Sequence, residues 1–65
     1  MPKDLHHALI DLRNIFISND QLVEYHLEAA EIESNNIDRV VFIESAELLY
    51  RVNTVISEVI ERYSV

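Results

Sequence analysis

The groups on this chain that can bind a metal, move a proton or attack an electrophile are twelve carboxylates, three histidines and five serines, with no cysteine among them. Spacing limits what they do together. His6 and His7 are adjacent, which on a helix aims their rings about 100° apart and makes a poor chelate. Asp4 and His7 form an i, i+3 carboxylate–imidazole pair, but close to a chain end. No metal site and no cofactor are expected. Ser18, Ser34, Ser45, Ser57 and Ser64 stand in no nucleophile elbow and have no assignable His/Asp relay. With zero glycine, a phosphate-cradling loop cannot be built. Neither acyl transfer nor P-loop phosphoryl chemistry fits, and the chain reads as a non-enzyme.

Two Glu-x-x-Glu units, Glu28–Glu31 and Glu44–Glu47, fall on successive helical segments. Over residues 28–47 this pattern resembles the all-helical nucleotide pyrophosphohydrolases, in which paired acidic units on adjacent helices hold magnesium. The resemblance implies a magnesium-dependent hydrolase built on these four residues. The chain departs from that pattern at Glu47, where the family's second unit ends in Asp. It also offers no Lys/Arg cluster for substrate phosphates, and helical phase turns the four glutamates away from the apolar arcs.

The carboxylates carry more information in bulk. The formal charge is −7, and residues 20–47 hold all of it: eight carboxylates against Arg39 alone, with both flanking stretches neutral. Like charges at i, i+4 repel by a few tenths of a kcal/mol per pair. An acidic ridge therefore gains when a basic surface meets it. Glu24, Glu28, Glu31, Glu33, Glu44 and Glu47 are the candidate partner-binding residues. The expected partner is a basic protein surface, including one that otherwise holds nucleic acid. Direct binding to phosphate backbones or anionic lipid is disfavoured, since both need clustered Lys/Arg. The competing reading makes this face merely solvating.

Helices must position these groups. Leu5, Ala8, Leu9, Leu12, Ile15 and Phe16 follow i, i+3, i+4 spacing, with Pro2 and Asp4 suiting a helix start. Ser18-Asn19-Asp20 followed by Gln21 reads as a turn and capping box, and Ser34-Asn35-Asn36 as a second turn, with Asn36 or Asp38 as the next cap. The expected elements are helices over residues 3–17, 21–33 and 37–63: an all-α single domain, residues 1–65, in which one long helix packs on two short ones. His26 interrupts an apolar arc, as a core histidine or a pH-sensitive point in a contact.

A chain of 65 residues without disulfides buries too little surface to be comfortable alone. Ile10 and Ile17 form a ridge beside the main stripe of the first helix, and Leu48, Val52, Val55 and Val59 widen the apolar arc of the last. These six are the expected dimer interface of a homodimeric helical bundle. No apolar run reaches the ~18 residues of a bilayer span, and no basic-then-apolar leader precedes the first helix, so a cytoplasmic location is expected. Small size, acidity and no catalytic set are typical of accessory proteins of bacteria or their phages. Three roles follow in order: an acidic regulator, inhibitor or adaptor; an assembly module; and the magnesium-dependent hydrolase.

Overall fold

The computed structural model describes residues 4–64, and Pro2, part of the expected helix start, lies outside them. The described residues are all helical apart from one connection and the chain ends. Helix α1 runs Leu5–Ile32 and α2 runs Asn36–Tyr63, each of 28 residues. They form an antiparallel hairpin with Cα extents of 47 × 22 × 14 Å.

The expected three-helix unit is therefore corrected to two helices of equal length. The turn placed at Ser18-Asn19-Asp20 does not exist; α1 passes straight through it. The reason is the repeat. Leu9, Leu12, Phe16, Asn19, Val23, His26 and Ala30 are separated by steps alternating between three and four, and Phe42, Ala46, Leu49, Asn53, Ile56, Ile60 and Tyr63 do the same on α2. Such a heptad seam keeps one stripe of each helix facing the other. Breaking α1 at residues 18–20 would put Val23 and His26 out of phase. Apolar packing along the seam outweighs the mild preference of Ser, Asn and Asp for turns, since helix propensities differ by less than about 1 kcal/mol per residue.

The seam is thin. Ala30, Ala46, Asn53 and Ile56 are its buried residues, at 6%, 3%, 6% and 8% exposure. Asn53 is polar yet satisfied: it accepts from the Asn19 amide at 3.0 Å and donates to the Phe16 carbonyl at 3.0 Å. This pair sets Asn19 opposite Asn53 and so fixes the register of the whole hairpin.

The connection, Glu33-Ser34-Asn35, is the second expected turn. Its bounding residues are extended, Glu33 at φ −79°, ψ 125° and Asn35 at φ −82°, ψ 121°, and no described residue has positive φ. That is how the chain manages without glycine. The N-cap is Asn35 rather than Asn36 or Asp38: its side-chain oxygen accepts from the Ile37 and Asp38 amides at 2.9 and 3.1 Å. Arg39 reaches back to the Glu33 carbonyl at 2.7 and 3.2 Å, placing a cation on the negative end of α1.

At the other end Asp4 caps α1, accepting from the His7 amide at 3.0 Å while His7 Nδ1 lies 2.9 Å from the same oxygen. The amide bond, chiefly, holds the Asp4 carboxyl below its ordinary value of 3.8. A depressed folded-state value means the cap is at full strength above pH 3.8 and is lost as pH falls through the lowered value. Protection of the His7 amide, measured against its intrinsic exchange rate, is expected to fall on acidification through that range. Asp4→Asn, which caps without titrating, should flatten the response; an unchanged pH profile would refute the assignment.

Candidate functional site

The heptad seam divides what remains of each helix into two flanks and an outer back. On the first flank stand His6, Arg13, Asp20 and Leu27 of α1, with Ile10, Ile17, Glu24 and Glu31 just outside them. Facing these on α2 are Ile43, Tyr50, Ser57 and Ser64, with Val40, Glu47, Thr54 and Glu61 outside. The Arg13 guanidinium crosses this flank to the Ser64 hydroxyl at 3.4 Å. Shallow grooves run along it, one formed by Phe16, Ile17, Ser57 and Ile60 and another by Leu27, Ala30, Glu31 and Ile43.

On the second flank stand Ala8, Ile15, Leu22 and Ala29 of α1, with Ser18, Tyr25 and Ile32 outside them. From α2 come Ser45, Val52 and Val59, with Val41, Leu48 and Val55 outside. Charge on this flank is confined to Asp4 and Asp11 on α1 and to Asp38 and Arg62 near the ends of α2. Most of its large side chains are in water: Ile15, Leu22, Val41, Leu48, Val52 and Val55 are all exposed, Leu48 by 61%. Scattered apolar residues on a surface are ordinary, whereas a continuous apolar strip the length of the molecule marks a binding face.

The six expected partner-binding glutamates divide. Glu24, Glu31 and Glu47 share the first flank with Asp20; Glu28 and Glu44 lie on the outer backs; Glu33 turns into the connection, where its carboxylate accepts from the Asn35 amide at 3.0 Å. The hairpin nevertheless gathers them lengthwise, because residues 20–47 straddle the connection. Split at the Asn19–Asn53 level, the loop half (residues 20–52) holds eight carboxylates against Arg39 and Arg51, a net −6, and the other half has −1. Glu24, Glu28, Glu31, Glu44 and Glu47 have no cation partner among the described residues.

The expected dimer interface also divides. Leu48, Val52, Val55 and Val59 lie on the apolar flank, but Ile10 and Ile17 fall across the seam on the acidic one. The apolar counterparts on α1 are Leu22 and Ile15, the latter a member of the stripe expected to form the core of the first helix.

His26 occupies a seam position. Its ring stacks on Phe42 at 5.9 Å and 28° and meets Tyr25 edge-on at 5.5 Å, while its buried Nδ1 has no hydrogen-bond partner. It is a packing residue with one polar atom to spare. The glutamates of the two Glu-x-x-Glu units do not converge, and among the described residues no group of three or more His, Asp or Glu is placed to hold a metal ion.

The residues missed from sequence are Asn19 and Asn53. Their signal was present: each is an amide at a position where the alternating repeat calls for an apolar side chain. No described helix is long and apolar enough to cross a membrane. Compared with protein-family models, curated proteins and solved structures, the chain matches none.

Proposed function

We propose that this chain is a non-enzymatic interaction protein, a regulator, inhibitor or adaptor, that self-associates through its apolar flank and docks its acidic flank on a basic surface of a partner protein. One observation carries the reading: one flank exposes Ile15, Leu22, Leu48, Val52 and Val55 with charge confined to Asp4, Asp11, Asp38 and Arg62, while Glu24, Glu31 and Glu47 stand without cation partners among the described residues on the other. The first arrangement suits a second helical hairpin, since four helices enclose a core that two cannot. The second suits a cationic surface, because unpaired carboxylates gain attraction without first breaking ion pairs.

Reversing Glu24, Glu31 and Glu47 to Lys tests the docking half. Immobilised chain should retain a basic protein from its native cell extract at low salt and release it near ~0.5 M salt, where the Debye length falls below ~5 Å. The triple reversal should cut retention at least tenfold with helicity unchanged. Undiminished retention would reduce the acidic flank to a solvating surface and leave an assembly module.

A further inference from the structure

We propose that the second copy covers the apolar flank with its loop at the opposite end, forming an antiparallel four-helix bundle whose two acidic loops point in opposite directions. This rests on the self-association proposed above and adds the face and the orientation.

Three features on the molecule select this occupant. The first is internal symmetry. Along α1 the flank reads Ala8, Ile15, Leu22, Ala29, small-large-large-small about a midpoint between Ser18 and Asn19. The observed register puts that midpoint level with residues 53 and 54 of α2. About the same level, Val52 balances Val55 and Leu48 balances Val59. An isologous contact requires that where residue i meets j, j meets i. A twofold axis across the rod at this level lays Ile15 of one copy on Leu22 of the other, Ala8 on Ala29, Val52 on Val55 and Leu48 on Val59. Every pairing is apolar, with small residues at the ends of α1 and large ones near the axis.

The second feature is charge. With a net −6 in the loop half and −1 in the other, hairpins stacked loop to loop would place two strongly negative ends together. Reversal separates them, setting each acidic half against the nearly neutral half of the other copy.

The third is area. The hairpin's Cα envelope, 47 Å long and 22 Å wide, leaves room for the ~800 Å² per partner of a standard stable interface.

A spin label on Ser34→Cys reads the orientation directly, because the chain has no other cysteine and Ser34 makes no side-chain bond. Each loop lies about 15 residues from the axis, so at 1.5 Å per residue the two labels should be ~45 Å apart in dipolar spectroscopy. A separation under ~20 Å would mean loop-to-loop stacking and would overturn the orientation while leaving self-association intact. A single-chain mass by light scattering at tens of micromolar would overturn both. Mixed Ala8→Cys and Ala29→Cys chains should form the heterodisulfide in preference to either homodisulfide, and the opposite preference refutes the pairing. Leu22→Glu should yield monomer while Ile17→Glu, on the acidic flank, keeps the dimer. Where Leu22→Glu fails to fold, the disulfide preference decides.

Discussion

Ile56→Ala should lower the thermal midpoint by roughly 10–30 °C. Ile56 is the one large apolar side chain among the buried described residues, facing Phe16 across the seam. Truncating a buried isoleucine costs about 2–4 kcal/mol, and in a domain of this size each kcal/mol is worth about 4–8 °C. A chain of 65 residues has a stability of only about 3–10 kcal/mol to lose from. Val40→Ala, at an exposed site, should stay within about 0.5 kcal/mol of the parent. Circular dichroism melts at one fixed protein concentration make the comparison, since a self-associating chain melts higher when concentrated. Equal shifts for the two variants would mean that the seam is not where the stability resides.

Replacing Asn19 and Asn53 together by Leu should raise the midpoint by about 5–15 °C, whereas Asn53→Leu alone should lower it. The single change removes the partner of the Asn19 amide, and a part-buried polar group left unsatisfied costs about 1–3 kcal/mol. The double change removes both polar groups and adds apolar surface, which is neutral to stabilising by up to a few kcal/mol. A double-mutant cycle reads the coupling between them. What the Leu pair should lose is uniqueness. A polar residue at a seam position specifies register and oligomer state at some expense of stability. The stabilised variant is therefore expected to show mixed species in sedimentation velocity where the parent shows one. A stabilised variant that remains a single sharp species would show that the surrounding apolar residues already fix the register.

The all-helical class was legible in the periodic placement of Leu, Ile, Val and Phe, and so was the connection near residues 33–36. What misled was local chemistry. Ser18-Asn19-Asp20-Gln21 has the composition of a turn with a capping box, and such signals describe what a segment does when little else constrains it. Here Phe16, Asn19 and Val23 keep the seam repeat unbroken, and Asn19 spends its amide on Asn53 rather than on its own backbone. Counting Asn19 and His26 as members of the stripe instead of interruptions would have given a single 28-residue helix. The error carried into the surface. With α1 divided, Ile15 belonged to the core stripe of a short first helix and Ile10 with Ile17 became the spare ridge. With α1 whole, Ile15 and Leu22 become the exposed strip. The acidic segment was legible as sequence, but its gathering at one end of a rod follows only from folding the chain back on itself near its centre.

The three-residue connection also governs what the hairpin can become. A short hinge with ordinary extended dihedrals invites straightening, in which two chains trade arms through one uninterrupted helix. The repeats are out of step across it. Continuing the spacing of α1 past Glu33 would put Val40 and Glu44 in the seam, whereas α2 uses Phe42 and Ala46. The mismatch is two positions, about 200° of rotation. A straightened chain would aim its two halves in nearly opposite directions, so no single neighbour could cover both, and a closed pair of chains trading arms is excluded by arithmetic written into the repeat.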